Sequence, residues 1–363
     1  MKIHILKVFK MFIKMKNSFF VILFFLFTTI VNGQSLTEIE SLAEKGDSDS
    51  QYKLGMLYFT GVTVDKNNET AFYWISKSAK QKNMKAQYIL GSMYREGMGT
   101  SVDIDKAFTL IKKSAEQGYA KAQYDTGMNY FHGNGVSIDL DKAFSWYLKS
   151  AKSGNPKYEF KVGFLYMLGY GPDKNPEKAF YWYKKCSEHE VVEKDFTTDS
   201  YTLRAQYTLG MLYYSGDGTE KNIDKAFYWL KKSAEKGNTD SQYSLGRMYL
   251  NGEATKKDFE KAIYWFLESA KGGNSLAQYM MGKYYFKAQG VPDHLERSFY
   301  WLKASAEQGE DKSQVAVGLL YYEGIGTEKN IDKAIFWISK AKDQGNRDAI
   351  KIWNEQKLGE VKY

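Results

Sequence analysis

One stretch decides the architecture. It runs Lys85-Ala86-Gln87-Tyr88-Ile89-Leu90-Gly91-Ser92-Met93-Tyr94-Arg95-Glu96-Gly97-Met98-Gly99, continues through Asp103-Ile104-Asp105-Lys106-Ala107-Phe108 and closes at Ser114-Ala115-Glu116-Gln117-Gly118. Ala86, Leu90, Met93 and Tyr94 fall at i, i+4, i+7 and i+8, which is one face of a helix. Gly97 and Gly99 tolerate the positive φ of a helix end. Asp103 is placed to cap a second helix, and Asp105 puts a carboxylate in its first, electropositive turn. That helix buries Ala107, Phe108, Ser114 and Ala115 and stops at Gly118. The stretch reads as helix–turn–helix.

The pattern recurs. Leu90-Gly91 has counterparts at Leu54-Gly55, Thr126-Gly127, Val162-Gly163, Leu209-Gly210, Leu245-Gly246, Met281-Gly282 and Val317-Gly318. These glycines step by 36, 36, 36, 47, 36, 36 and 36 residues, so there are eight repeats with one insertion of 11 residues lying within 191–202. Counted from that glycine, Tyr stands at +3 in all eight repeats, and Ala at +16 and Trp at +19 in seven each. Further glycines recur at +6, +8 and +27, and these registers together hold 28 of the 31 glycines. The glycine excess is therefore architectural. Asn67, Asp139, Asn175, Asn222, Asp258 and Asn330 take the capping place of Asp103, and His294 departs from it. Glycine inside a helix costs about 1 kcal/mol against alanine. At +0 it is expected to let the two helices of a repeat touch backbone to backbone at the +16 Ala, with Tyr at +3 and Trp at +19 filling the space between repeats. The Trp series also suggests an aromatic binding row, but its strict register favours packing.

The string Ala-Gln-Tyr-x-Leu-Gly-x-x-Tyr, then Gly-x-Gly, then Lys-Ala-Phe-x-Trp-x-x-Lys-Ser-Ala-x-x-Gly resembles the Sel1-like repeat, a 36-residue relative of the tetratricopeptide repeat. The match covers about residues 48–347. The resemblance implies an all-α fold, a right-handed α/α superhelical solenoid of eight helix–turn–helix repeats that acts as an adaptor for other proteins. Four repeats occupy 48–190 and four occupy 203–347. Residues 34–47 resemble a second helix without its first, and the segment from Arg347 to Trp353, with a tail to 363, a first helix without its second. Both would cap the ends of the stack. Residues 191–202 read either as a surface loop or longer second helix, or as a kink or contact site between two four-repeat halves.

Residues 1–33 read as a sorting signal. Lys2, Lys7, Lys10, Lys14 and Lys16 precede an apolar run of 13 residues from Phe19 to Val31. Spanning a bilayer takes roughly 20 apolar residues, so a signal peptide cut near Gly33/Gln34 is favoured over an uncleaved anchor. Met15 offers a second possible start. Export to the periplasm or medium follows, with no membrane insertion after cleavage. Removing five lysines and no acid leaves +3 of the formal +8, and Lys and Glu alternate in the remainder, which argues against a nucleic-acid partner.

Little points to chemistry. The one cysteine, Cys186, takes the +23 place that Ser fills in six other repeats, and reads as a small packed residue. His132, His189 and His294 are scattered, without metal-ligand spacing, and no cofactor is expected. Ser-x-x-Lys occurs at Ser50–Lys53, Ser233–Lys236 and Ser339–Lys342, but no Ser-Asp-Asn or Lys-Thr-Gly partner accompanies it.

The informative places vary between repeats while staying on the first helix, which lines the concave surface in the family the chain resembles. At +1 stand Met56, Ser92, Met128, Phe164, Met211, Arg247, Lys283 and Leu319; at +4 stand Phe59, Arg95, Phe131, Met167, Tyr214, Leu250, Phe286 and Tyr322. Twelve of these sixteen are Met, Leu, Phe or Tyr, a lining suited to an amphipathic helix or extended peptide. Packing between neighbouring first helices is the alternative for the +4 set. Arg95, Arg247 and Lys283 would add charge selectivity. The expected function is an exported, non-enzymatic scaffold holding a protein or peptide. The alternatives are a cell-envelope enzyme of β-lactamase or penicillin-binding type, and an assembly factor for exported polysaccharide.

Overall fold

The computed structural model describes residues 35–190, 198–288 and 291–355. The sorting signal, the body of the insertion and the last eight residues lie outside them. Every described element is a helix, and no strand occurs among the described residues. Helix α1 (Leu36–Glu44) precedes eight helix pairs: α2 (Ser48–Thr60) with α3 (Asn68–Lys80), α4 (Met84–Glu96) with α5 (Ile104–Glu116), α6 (Ala120–His132) with α7 (Leu140–Ala151), α8 (Pro156–Leu168) with α9 (Pro176–Ser187), α10 (Thr198–Ser215) with α11 (Ile223–Glu235), α12 (Thr239–Asn251) with α13 (Phe259–Lys271), α14 (Ser275–Lys287) with α15 (His294–Glu307), and α16 (Asp311–Glu323) with α17 (Ile331–Asp343). Helix α18 (Arg347–Glu355) ends the array. The chain divides between Tyr201 and Thr202 into two compact halves. Part of the insertion lengthens the first helix of the fifth repeat, α10, which has 18 residues where the other first helices have 13.

The helix boundaries follow from the sequence. Asn67, Asp103, Asp139, Asn175, Asn222, Asp258 and Asn330 each accept a backbone N–H three residues on and cap a second helix. In the seventh repeat Asp293 takes this place in a left-handed conformation without a side-chain cap bond, and His294 becomes the first helical residue. First helices end in left-handed glycines such as Gly97, at φ 69°, except α14, which ends at Ala288 with φ −82°.

The glycine at +0 brings the +16 backbone close, as expected, and also makes room for a side chain. A Cβ on Gly246 would lie 2.8 Å from the Phe266 ring and 3.2 Å from the Ala262 carbonyl. The +16 alanine is close, but what lies across the glycine is the +20 side chain. It is Ile75, Ile111, Tyr147, Tyr183, Leu230, Phe266, Leu302 or Ile338, each almost fully buried. Each such burial stabilises by about 1.5–3 kcal/mol.

Stacking between repeats uses the +3 Tyr and the +19 Trp, with Trp146 and Trp301 packed against cores that include the preceding repeat. The ring partner of the +3 Tyr is the +17 Phe of the preceding repeat. Phe72–Tyr94, Phe108–Tyr130 and Phe144–Tyr166 in the N-terminal half pack edge-on at 5.4, 5.5 and 5.0 Å. Phe227–Tyr249 and Phe299–Tyr321 do the same in the C-terminal half at 5.5 and 5.1 Å. Six of the seven recurring Trp are only half-buried, and Trp337 alone is buried. A polar interlock adds to the stacking. Gln87 Nε2 donates to the Ala79 carbonyl of the preceding repeat, and Gln117 Nε2 donates to Gln87 Oε1 at 2.7 Å. The same pairs recur at Gln278 with Gln308 and at Gln314 with Gln344.

Gly246→Ala should therefore destabilise the protein, although alanine is the better helix former. Overpacking against Phe266 costs about 1–3 kcal/mol, outweighing a propensity gain of about 1 kcal/mol. Urea unfolding of the variant measures it; an unchanged or raised midpoint would show that the +0 glycine has no steric role.

Candidate binding surface

The +1 and +4 side chains of the first helices do not share one environment. Met56 and Phe59 are buried, at 2% and 7% exposure, in a cluster with Ile75, Leu90 and Met93. Large side chains of the second repeat close over them, so these two belong to the core and not to a binding surface. Further along the N-terminal half, Met128, Phe131 and Met167 are half-buried and Phe164 is exposed. Phe131 and Phe164 flank Lys161, whose ammonium lies 4.8 and 5.5 Å from their ring centres and 5.3 Å from that of Tyr147. Burial holds this ammonium below the ordinary lysine range. Arg95 pairs with Glu96 at 3.1 Å and reaches Asp125 at 3.9 Å. Asp125 also accepts a 2.7 Å bond from the buried Tyr88 hydroxyl, whose pKa is raised by burial first and by Asp125 second. Arg95 is thus neutralised within its own half.

In the C-terminal half, clefts open between successive first helices. Met211, Tyr214 and Arg247 meet around a small one of about 50 Å³, beside Asn251 and Glu253. The Tyr214 hydroxyl bonds Glu253, which raises its pKa. A cleft of about 350 Å³ lies between α12, α13 and α14, lined by Leu250, Phe266, Met280, Lys283 and Lys287 among others. A third, of about 230 Å³, lies on the other side of α14, lined by Tyr279, Lys283, Phe286, Lys287 and Leu319 among others. Tyr322 is half-buried and lines neither cleft, with Lys329 over its ring at 5.5 Å. Sequence reasoning missed Lys161, Tyr279, Met280 and Lys287. They lie at −2, −3, −2 and +5, one helical turn from the +1 and +4 rows, and a wider face would have included them.

A second exposed row was also missed. On the second helices the residue before Trp is aromatic and open to solvent: Tyr73, Tyr181, Tyr228, Tyr264, Tyr300 and Phe336 are 50–63% exposed. Each packs edge-on against the following Trp at 5.0–5.5 Å.

Comparison with known proteins agrees with this geometry. The Sel1 repeat model matches residues 48–83, 85–119, 120–155, 156–189, 203–238, 239–274, 275–310 and 311–346. The chain belongs to the Sel1 repeat family. It is similar to a Sel1 repeat protein from Oxalobacter formigenes, with 28% identity, 92% of each chain covered and a TM-score of 0.73. It is also similar to c5321, a protective antigen of uropathogenic Escherichia coli strains, with 30% identity and a TM-score of 0.75 over 87% of this chain and 66% of that one. A putative sel1-like repeat-containing protein, L18 of Acanthamoeba polyphaga mimivirus, is 44% identical over 45 residues. The matched stretch is 8% of that relative's length and 12% of this chain.

Sel1 repeats are non-catalytic scaffolds for protein–protein contact. Two of the side chains considered for chemistry are held in structural bonds. Ser233 Oγ donates to the Leu203 carbonyl, and Cys186 Sγ, in the same register, donates to the Pro156 carbonyl. Burial pushes the Cys186 thiol up, away from the reactive thiolate. Ser50 is buried. Among the described residues no group of three or more His, Cys, Asp or Glu could hold a metal ion. The fourth Sel1 repeat replaces the recurrent Gln with Glu159, which is fully buried. His189 stands where Gln81 and Gln117 stand in their repeats and meets Glu159 at 2.8 Å, and Lys185 pairs with the other oxygen at 3.0 Å.

Glu159→Gln should thus be tolerated within about 1 kcal/mol, since it restores the residue the other repeats use. Glu159→Ala strips partners from Lys185 and His189 and should cost about 1–3 kcal/mol. Urea titration of both variants checks the order; equal losses would show that an amide cannot stand in for the carboxylate at this place.

Proposed function

We propose that this Sel1 repeat protein is an exported scaffold that holds a segment of another protein along its first helices. The carrying observation is the pair of apolar clefts flanking α14, with volumes of about 350 and 230 Å³. They lie at the register where the repeats differ from one another, while the positions that recur serve packing and capping. Clefts of this size lined by aromatic and aliphatic side chains accept side-chain anchors of a peptide. In the N-terminal half the exposed Phe164 beside Lys161 and Phe131 offers a smaller anchor point. Export rests on the basic and apolar leader, residues 1–33. No helix among the described residues is long and apolar enough to cross a membrane.

Two experiments test this reading. Mass spectrometry of the protein recovered from periplasm or medium should find Gln34 as its first residue; a retained leader would overturn cleavage. With the protein as bait in an envelope extract, Phe286→Ala with Leu319→Ala should lose a captured protein while melting stays within a few degrees. A large fall in melting would instead assign both residues to the core.

A further inference from the structure

We propose that the partner segment is acidic, with one or more carboxylates between two apolar anchors, and that Lys283 and Lys287 of α14 receive those carboxylates. This rests on the scaffold reading and names the chemistry of its occupant. Both lysines line both clefts, so any segment seated in the two passes over them. Both are exposed. Helix α14, Ser-Leu-Ala-Gln-Tyr-Met-Met-Gly-Lys-Tyr-Tyr-Phe-Lys, has no acid along its length.

Among the described residues neither lysine has an ion-pair contact, and the acids Glu310 and Asp311 act on Tyr279, which lines the smaller of the two clefts. Lys283 overhangs the Tyr279 ring at 5.4 Å. Arg247, at the +1 place one repeat earlier, is exposed and likewise makes no ion pair among the described residues. Some lysines elsewhere in this half are paired, as Lys261 is with Asp258 at 2.9 Å and Lys271 with Glu268 at 2.7 Å, and others lie over rings, as Lys225 and Lys333 do; what sets Lys283 and Lys287 apart is that both line both clefts. Unpaired cations between apolar clefts favour an anionic occupant by charge complementarity.

The same charge disfavours the leader, the C-terminal residues and a second copy of this patch as occupants. The leader carries five lysines and no acid. The last eight residues carry Lys357 and Lys362 against Glu360. A second copy meeting this patch with its own would set lysine against lysine across a two-fold axis.

The test uses the purified protein, immobilised, and three pools of 14-residue peptides. The pools are random except at three central positions, which are Asp/Glu, Asn/Gln or Lys/Arg. Retention of the acidic pool should exceed that of the neutral pool about tenfold at about 50 mM salt, and the gap should shrink by about 500 mM. Lys283→Glu with Lys287→Glu, both on exposed positions, should turn the preference toward the basic pool without lowering the melting temperature. Equal retention of acidic and neutral pools, or a preference unchanged by the double reversal, would overturn the acidic partner. Equal retention that is lost in Phe286→Ala with Leu319→Ala would sink the acidic partner and keep the groove. Retention of no pool, or retention indifferent to Phe286 and Leu319, would sink the groove reading with it.

Discussion

The contact between the +0 glycine and the +20 side chain governs how each helix pair closes. The helices of a Sel1 repeat are about three and a half turns long and could not hold together by propensity. They hold because a bare backbone position on the first helix receives a large side chain from the second, as Gly127 receives the Tyr147 ring and Gly318 receives Ile338. The glycine is costly in an isolated helix, and close packing against the +20 residue offsets that cost. The small residue at +16 supports the same approach. Where it is Ser298, the hydroxyl donates to the Gly282 carbonyl at 2.9 Å, so even the exception joins the two helices at that point.

Once the pair is closed, its remaining faces have assigned roles. The Tyr at +3 meets the Phe at +17 of the repeat before it. The buried Gln reaches a carbonyl of the preceding second helix, as Gln242 does with Ala234. These contacts repeat with the chain, so they specify stacking without specifying a partner. Variation is left to the outer rows of the first helices. There the N-terminal half neutralises Arg95 with Glu96 and Asp125, while the C-terminal half leaves Lys283 and Lys287 facing open clefts. Two stretches with the same scaffold thus present different chemistry.

Much of this was legible from the letters. Caps were found residue by residue, because an Asn or Asp side chain that bonds a nearby N–H needs only local sequence. The Trp series does pack between repeats, as Trp146 and Trp301 do against cores that include the preceding repeat, yet most of it is only half covered. A recurrent large aromatic signals a recurrent environment, but a half-covered ledge under Tyr228 or Tyr264 recurs as faithfully as a core does. The +20 partner went unnoticed because its identity changes among Ile, Tyr, Leu and Phe, and a search for repeated letters passes over a position where only bulk is kept. At +4, Phe59 and Phe286 are the same residue in the same register, yet one is 7% exposed and the other 45%.

By itself, then, the sequence determined the repeat, its helices, their ends and the family, because period, capping and helix termination are local properties written within about 36 residues. Which aromatics are core, which are ledge, and which +1 and +4 residues reach solvent was decided only by tertiary structure. Burial at those places depends on the bulk of side chains one repeat away. Met93 closes over the cluster that holds Phe59, and open space remains beside Phe286.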